Sequence, residues 1–311
     1  MTRRVILPWM PSPFHRPDVA TLLAATAYAD VAVDTRSGPH VTPAAFAAAD
    51  GRLWVVSSRR TLRVRSVRRR HAASVLVRKG DRALVVSGSA DVLSLWRPSE
   101  TVGLVINTVP VVRAATTYAL RNAGLLVNGF LRDIVAGAGD LTLYDRVLVA
   151  IEPERGLLLD GDAVLDTWGR WGRVRPVERE RIAVATPPLD DLLADLPAAV
   201  ARVLDSQAPA SVGWTCPTGP VVLPTLQPHA DGRVQVATAA LDAVGAPVRA
   251  QACVTFHVAD SVRPSSFRGV ILRGEGRVVR RGAARTTLEV AADRVSWWAG
   301  FRSGTARAQA A

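Results

Sequence analysis

Residues 38–58 read GPHVTPAAFAAADGRLWVVSS, and residues 219–239 read GPVVLPTLQPHADGRVQVATA. At a constant offset of 181, nine of the 21 positions are identical, including the Gly-Pro pair and the Ala-Asp-Gly-Arg turn. Internal repeats determine the architecture of a chain, and a period of this length is too long for a solenoid. The two stretches therefore indicate that a whole domain is duplicated within this chain of 311 residues.

The likeness between the two copies continues beyond these stretches. SVLV at 74–77 lies opposite TFHV at 255–258 with the same offset. LVVSGSADV then pairs with VILRGEGRV at an offset of 186, which places Gly88 opposite Gly274. The change in offset predicts five additional residues in a turn of the second copy.

Each copy has the sequence pattern of short β-strands. Stretches rich in Val, Leu, Thr and Trp alternate with Gly, Pro and Asp turns, as expected for strands joined by tight connections. The Asp-Gly pairs at 50–51 and 231–232 are hairpin signals. Helical stretches precede the two copies and begin at Asp18 and Leu189. We therefore expect a mainly β fold with helices, in which each half forms a small antiparallel barrel.

The predicted domain organisation follows this repeat. An apolar tract that begins at Thr101 and is interrupted by Arg113, Arg121 and Arg132 predicts a helical insertion in the first copy. Its charge-free runs are shorter than the roughly 18 residues of a membrane helix, so we expect amphipathic helices and no transmembrane segment. Peripheral membrane contact stays open. The expected division is an N-terminal arm 1–17, a first barrel 18–170 with an insertion at about 100–138, a linker 171–188 and a second barrel 189–311.

Charge and cysteine content narrow the functional classes only partly. The net charge is +12, and seven arginines fall within residues 57–71. Aromatic residues are not interleaved with these arginines and no nucleic-acid motif accompanies them, so we expect no nucleic-acid partner. Cys216 and Cys253, the only cysteines, show no metal-ligand spacing. We therefore expect no metal site and no disulfide framework, and the cytoplasm is the simplest compartment.

An ordered set of short motifs in the first copy carries a resemblance to a known family. The set comprises GPHVTP at 38–43, ADGRLWVVSS at 49–58, TLR at 61–63 and SVRRRHA at 66–72. It resembles the flavin-binding split barrels of the pyridoxamine 5′-phosphate oxidase type. Two departures are visible, because the usual lysine is Arg63 and the usual Asn-Pro is replaced by Arg-His-Ala. The resemblance implies two split β-barrels in tandem.

The resemblance, which covers roughly residues 18–165 and about 190–302, also implies a flavin site. Thr61 and Arg63 would hold the flavin phosphate with assistance from Arg68, because hydroxyls and a guanidinium donate charge-assisted hydrogen bonds to a dianion. A turn into a short helix would add N–H donors and a favourable dipole. The other arginines of this stretch are expected to form a solvated face. The implied cofactor-binding residues are Val56, Ser57, Ser58, Thr61, Arg63 and Arg68, with His40 and Trp214 as further candidates.

The second copy lacks the implied phosphate-binding residues. At the offset of 181, Asp242 stands opposite Thr61 and Val244 stands opposite Arg63. We expect the strand to continue through Thr238 while the phosphate grip is lost. In the family the flavin lies between two barrels of a homodimer, whereas here one chain holds both barrels. The resemblance therefore implies a fused pseudo-dimer with one flavin site, either monomeric or paired further as a homodimer.

Several functions are compatible with these features. The leading hypothesis is a flavin-dependent oxidoreductase that binds FMN and transfers hydride to or from a small organic substrate. We assign no catalytic residue, because the cofactor carries the chemistry. A deazaflavin is an alternative cofactor, since the surplus arginines suit a longer and more acidic tail. Haem binding would need an axial ligand such as His40, His71 or His257. A non-enzymatic binding module is the remaining alternative.

Overall fold

The computed structural model describes most of the chain. The described residues are 13–93, 102–124, 145–171, 189–206, 210–216, 218–228, 233–236, 238–245, 249–258, 266–281, 285–300 and 302–307. The elements of the first half are α1 (Pro17–Ala24), β1 (Tyr28–Thr35), β2 (Gly38–Ala49), β3 (Arg52–Ser58), α2 (Leu62–Arg70), β4 (Ala72–Lys79), β5 (Arg82–Leu93), α3 (Val102–Arg121), β6 (Arg146–Asp160) and β7 (Ala163–Trp168). Those of the second half are α4 (Leu189–Leu193), α5 (Ala198–Asp205), β8 (Ala210–Cys216), β9 (Gly219–Pro224), β10 (Gln227–Pro228), β11 (Arg233–Gln235), α6 (Thr238–Val244), β12 (Arg249–Val258), β13 (Arg268–Arg281), β14 (Arg285–Ala299) and β15 (Arg302–Arg307).

The first half is a closed barrel of six antiparallel strands. The strand order is β3-β2-β1-β4-β5-β6, β3 also pairs with β6, and β7 extends the sheet beyond β6. Side chains alternate along each strand, so one face of β2 and β3 fills the barrel with Phe46, Leu53 and Val55, all fully buried. Leu22 and Leu23 of α1 pack into the same core.

The barrel is split between β2 and β3. These strands pair only from Phe46 to Ala49 of β2, while β3 pairs with β6 from Leu53 to Ser58. The part of β2 that precedes Phe46 therefore has no β3 partner on that edge. Helix α2 begins four residues after Ser58 and packs against β1, β3 and β5. The N-terminal end of this helix is consequently close to the open edge of β2.

The second half repeats this topology. Its strand order is β10-β11-β14-β13-β12-β8-β9, with β15 on β14. β9 and β10 together correspond to β2 and are separated by Thr225 and Leu226. β6 and β14 each have 15 residues, and each is followed by a glycine with positive φ, Gly161 or Gly300. The predicted fold of two split barrels in tandem is confirmed.

The same β-bulge occurs in both halves. The pairing register shifts between Ser87 and Gly88 in β5, and between Arg273 and Gly274 in β13. A Cβ atom on Gly88 would lie 1.9 Å from a backbone oxygen of β6, and one on Gly274 would lie 1.7 Å from a backbone oxygen of β14. Glycine is therefore required at both bulges, because the facing strand approaches too closely for any side chain. The predicted equivalence of Gly88 and Gly274 is confirmed.

The expected offset for the fourth strand of each copy is wrong by two residues. Val75 pairs with Val31 in the first half, and Val254 pairs with Val212 in the second. Since Val31 and Val212 are 181 positions apart, the strands β4 and β12 correspond at an offset of 179. Residues 74–77 are therefore equivalent to 253–256. A slip of two keeps every side chain on its original face, so alternation alone does not reveal it.

A second correction concerns the segment after β11. The strand was expected to continue through Thr238, but β11 ends at Gln235 and Thr238 begins the helix α6. TAALDAV is rich in alanine and lacks the alternation of a strand, which favours the helix. The predicted hairpin at 50–51 is confirmed, since Asp50 and Gly51 both have positive φ as a type I′ turn requires. Its counterpart at 231–232 lies outside the described residues.

The two halves pack together through pseudo-twofold symmetry. The hydroxyl of Thr215 donates to the carboxylate of Asp34 at 2.5 Å, and these residues occupy equivalent positions 181 apart. Reciprocal contacts flank this pair: Gly38 of the first half faces Gln251, and Gly219 of the second half faces Ala72. Such exchange of equivalent contacts is typical of an isologous dimer interface. The halves therefore form a pseudo-dimer within one chain.

A continuous apolar core joins the two barrels. Val41, Leu76, Val85 and Leu157 of the first half belong to one buried cluster with the strands of the second half. The predicted insertion contains α3, and the part of it beyond residue 124 lies outside the described residues, as do most of the predicted arm and the predicted linker. The division into domains at 1–17, 18–170, 171–188 and 189–311 stays a prediction. Among the described helices, none is long and apolar enough to cross a membrane.

Candidate functional site

The predicted hydroxyl residues lie together at the start of α2. Thr61 is the N-cap of this helix, and its Oγ1 accepts a hydrogen bond from the backbone N–H of Val64 at 3.4 Å. The Oγ atoms of Ser57 and Thr61 are 3.0 Å apart. Ser and Thr are preferred N-caps because a side-chain oxygen satisfies an otherwise unpaired helical N–H. The sequence therefore folds into a helix start that presents two hydroxyls and a positive dipole end.

Ser58 is held by an acidic neighbour at the same helix start. Its hydroxyl donates to Oδ2 of Asp145 at 2.5 Å, and the backbone N–H of Arg59 donates to the carbonyl of Asp145 at 2.7 Å. The guanidinium of Arg60 lies 4.0 Å from the same carboxylate and is largely exposed. An anion bound by Ser58 would have to displace this carboxylate, whereas Ser57 and Thr61 have no carboxylate contact among the described residues.

Arg63 is buried beside the split of the barrel. Only 8% of the residue is exposed, and its Nη2 donates to the carbonyl oxygens of Thr42 at 3.1 Å and Pro43 at 3.3 Å. Both residues lie in the part of β2 that precedes its pairing with β3, so Arg63 hydrogen-bonds to this stretch of the strand. Burial lowers the pKa of Arg63 to about 10, so the side chain is still a cation at neutral pH. Its Nε is buried without a hydrogen-bond partner among the described residues.

His40 contacts the second half and lies within reach of the charge of Arg63. Its Nδ1 accepts a hydrogen bond from Nη2 of Arg273 on β13. Burial holds the pKa of His40 well below its usual range, and the positive charges of Arg273 and Arg63 lower it further. His40 is therefore neutral at physiological pH and acts as an acceptor towards a cation. His40, Arg63 and Arg273 form what we call the basic cluster.

The basic cluster concentrates positive charge between the two halves. Arg273 is 6% exposed, and its Nε, like that of Arg63, is buried without a partner among the described residues. Within the described part of the chain, no carboxylate forms an ion pair with either guanidinium, and the attraction of Asp30 to Arg63 acts at longer range. Buried cations are costly unless they are paired. Two unpaired N–H donors and two buried cations therefore define a site that is complementary to an anion.

Arg273 was missed by the sequence analysis, although the repeat contains a signal for it. Arg273 precedes the bulge glycine Gly274 and stands opposite Ser87 of the first copy. A cation in one copy where the other has a small hydroxyl residue marks a position at which the copies have diverged. No motif of the resemblance covers this strand of the second copy, so only a comparison of the two copies could have found it.

Three predicted site residues lie in different surroundings. Val56 is half-buried on the outer face of β3, where it packs against the cluster formed by Ala45, Ala47 and Tyr118. Arg68 lies in the last turn of α2 and is exposed, at the opposite end of the helix from Thr61. Trp214 lies in the core of the second half, where it lines a small apolar cavity with Leu241 and other residues. The cofactor contacts expected for these residues stay predictions.

Helix α3 covers the outer face of the first barrel next to the site. Tyr118 packs on Ala45 and Ala47 of β2, which are small enough to receive its ring. Burial raises the pKa of Tyr118 to about 12, although the nearby charges of Arg146 and Arg63 oppose that change. The phenol is therefore protonated at neutral pH and lies close to two guanidinium groups.

The candidate haem ligands are each engaged by another side chain. His40 accepts from Arg273, as described above. Nδ1 of His71 lies 3.2 Å from Oδ1 of Asp91 on the surface. Nε2 of His257 lies 2.6 Å from Oδ1 of Asp30 at the contact between the halves. The structure therefore gives each ring a role that is independent of a metal, and no group of side chains suited to a metal ion is found among the described residues.

The closed barrel with a split between β2 and β3, duplicated about a pseudo-twofold axis, is a split barrel, the fold that the motif resemblance implies. No family model matches the sequence, and no curated protein matches it. Solved structures similar to this chain include a conserved hypothetical protein from Mycobacterium tuberculosis, at 19% identity and a TM-score of 0.34, which covers 47% of this chain and 84% of its own. A pyridoxamine 5′-phosphate oxidase-related, FMN-binding protein from Nostoc punctiforme has 14% identity and a TM-score of 0.34, and the match covers 48% of this chain and 85% of that protein. A FAD-binding protein from Mesorhizobium loti has 18% identity and a TM-score of 0.33, and the match covers 45% of this chain and 89% of that protein.

Proposed function

We propose that this chain is a flavin-dependent oxidoreductase that holds one flavin between its two halves and acts on a small organic substrate. The observation that carries the proposal is the basic cluster, in which the buried guanidiniums of Arg63 and Arg273 flank the neutral His40 without a carboxylate partner among the described residues. The free energy cost of these buried cations would be offset by a bound anion. The flavin phosphate is the anion that the motif resemblance implies.

The residues at the start of α2 fit a phosphate. The hydroxyls of Ser57 and Thr61 lie 3.0 Å apart. That of Thr61 donates to the carbonyl of Ser58 at 2.8 Å, and it would exchange this bond for one to a phosphate oxygen. Nε of Arg63 supplies a charge-assisted donor that has no other described partner. The helix dipole of α2 adds a favourable interaction with a negative group. The first half would thus hold the phosphate, while Arg273 would reach it or the adjoining chain from the second half.

A bound flavin would supply the hydride transfer itself. The contribution of this chain would then be binding, orientation and exclusion of water, which is why no protein acid or base is assigned to the reaction. Tyr118 packs on Ala45 and Ala47, and its phenol lies near the charge of Arg63. Helix α3 therefore borders the proposed phosphate position.

One flavin per chain is expected because the pseudo-symmetric position lacks the basic cluster. Its buried cation, Arg155, donates to the carbonyl of Thr218. The counterparts of His40 and Arg273 are Val221 and Ser87. Helix α6, which follows β11 as α2 follows β3, has the sequence TAALDAV, with one aspartate and no arginine. The duplication therefore left one of two equivalent sites equipped for an anion.

The proposal is tested by reconstitution with FMN and by two matched variants of α2. Arg63→Gln keeps an N–H donor for the β2 carbonyls but removes the charge, whereas Arg65→Gln changes an exposed arginine of the same helix. We expect Arg63→Gln to weaken FMN binding by about tenfold or more, the effect of one lost charge-assisted hydrogen bond, and Arg65→Gln to leave it unchanged. Thermal unfolding of both variants checks that the fold is retained.

The visible spectrum of the purified protein distinguishes the alternatives. Flavin absorbance, or the absorbance of a deazaflavin released by heating, would support the oxidoreductase. A Soret band would indicate haem chemistry instead. A colourless protein that binds neither FMN nor a deazaflavin would overturn the proposal and leave a non-enzymatic binding module as the better account.

A further inference from the structure

A row of three arginines crosses the outer face of the second barrel. Arg273 of β13 pairs directly with Arg294 of β14, and Arg294 pairs directly with Arg307 of β15. Residues that face each other in adjacent antiparallel strands project from the same side of the sheet. Val295, the neighbour of Arg294, is fully buried in the core, so the arginine row (Arg273, Arg294 and Arg307) lies on the opposite, outer face.

The arginine row is unfavourable for stability. Like charges directly opposite each other in a sheet repel, and the row contains two such contacts. Among the described residues, Nε of Arg273 and Nε of Arg294 are buried without a hydrogen-bond partner, and no carboxylate of those residues forms an ion pair with any of the three. The equivalent positions of the first half, Ser87, Arg155 and Trp168, form no such row. The fold therefore does not require it, which points to a ligand.

The row is continuous with the basic cluster. It begins at the exposed Arg307, passes through Arg294 and reaches the buried Arg273, which contacts His40 beside Arg63. Strands in a sheet are about 4.8 Å apart, so the row spans about 10 Å. Ser296 and Thr305 also pair directly and lie on the same face, two residues along their strands from Arg294 and Arg307. Their hydroxyls are 3.2 Å apart and add donors for anionic oxygens.

We propose that the arginine row binds the anionic tail of an elongated cofactor whose first phosphate is held at the start of α2. The inference rests on the proposed function, and it identifies the cofactor class as one that carries anionic groups beyond a single phosphate. FMN has one phosphate and would leave the row empty. The diphosphate of FAD and the acidic tail of a deazaflavin share the required chemistry, with negative groups distributed along an extended chain.

The proposal is tested by measuring the affinities of FMN, FAD, a tailed deazaflavin and inorganic tripolyphosphate for three forms of the full chain. The forms are the wild type, Arg307→Gln and Arg302→Gln. Arg302 is an exposed arginine on the same strand as Arg307, and it projects from the opposite face because the two positions differ by an odd number. The two variants therefore change the net charge equally, and only Arg307→Gln removes a guanidinium from the arginine row.

We expect Arg307→Gln to weaken binding of FAD or of the deazaflavin by about fivefold to tenfold, since one charge-assisted contact is lost, while FMN affinity is unchanged. Whichever of FAD and the deazaflavin binds Arg307→Gln more weakly than the wild type is the cofactor whose tail contacts the row. Equal losses for Arg307→Gln and Arg302→Gln, or no loss for either tailed cofactor, would overturn the inference while leaving flavin binding intact. If no flavin binds the wild type but tripolyphosphate binds and depends on Arg307, the proposed function fails and an anion-binding row stands without it.

Discussion

Replacement of Asp30 by asparagine tests how the two halves are held together. Oδ1 of Asp30 lies 2.6 Å from Nε2 of His257, and Oδ2 lies 3.2 Å from Nη2 of Arg78. Arg78 also donates to the carbonyl of Ala210 at 2.5 Å. Asp30 and Arg78 belong to the first half, whereas His257 and Ala210 belong to the second. Asp30→Asn therefore removes the central negative charge of a buried network that joins the barrels.

The magnitude follows from the burial of this carboxylate. The side chain of Asp30 is 4% exposed. Burial would raise the pKa of Asp30, but attraction to His257 and Arg78 outweighs it and lowers the pKa to about 2. A pKa about two units below that of an unfolded aspartate corresponds to about 2.5 kcal/mol of stability at neutral pH. Removal of one partner from a buried ion pair typically costs about 3–5 kcal/mol, so we expect a loss of about 3 kcal/mol.

The assay is urea unfolding at pH 7, followed by circular dichroism, with Asp18→Asn as the matched control. Asp18 pairs with Arg16 on the surface, where ion pairs contribute little, so the control should change the midpoint only slightly. The stabilisation by Asp30 is present above the unfolded-state pKa of about 4 and is lost as the pH falls through about 2. The difference between the wild type and Asp30→Asn should therefore shrink over that range. A loss in Asp30→Asn no larger than in Asp18→Asn would refute this account of the interface.

Two further predictions concern the bulges and the phenol next to the site. Gly88→Ala and Gly274→Ala should each lower the free energy of unfolding by about 2 kcal/mol or more, because the new Cβ overlaps facing backbone; Gly124→Ala, where a Cβ meets nothing within 4 Å, should not. Comparable melting temperatures for all three variants would contradict the close approach. The pKa of Tyr118, raised to about 12, predicts that the ultraviolet phenolate signal of the wild type equals that of Tyr118→Phe up to pH 10. A signal from Tyr118 that develops around pH 10 would show an exposed phenol.

The sequence predicted the architecture because duplication leaves a pattern that a single copy lacks. The constant offset between residues 38–58 and 219–239 locates both barrels, and the offset at the bulge glycines locates the strands that follow. The hairpin at 50–51 follows from local turn chemistry. These features depend on residues that are neighbours in sequence or on backbone positions that only glycine can occupy, so the sequence alone predicts them.

The site was predicted less completely because it combines residues that are distant in sequence. The motif resemblance identified His40 and Arg63, but their convergence with Arg273 depends on how the barrels pack. The slip of two residues in β12 could not be detected from the sequence, because alternation repeats every two positions and a shift of two leaves the pattern unchanged. The helix α6, where a strand was expected, shows that the constant offset fails once the second copy has lost its phosphate-binding turn.

The number of flavin molecules bound per chain tests the central claim most directly. Calorimetric titration of the purified chain with FMN or FAD gives this number. The absorbance of the flavin that stays bound after desalting gives it independently. The account predicts one flavin per chain, because only one of the two pseudo-equivalent positions has the basic cluster of His40, Arg63 and Arg273. Two flavins per chain, or none with either compound or with a deazaflavin, would contradict it.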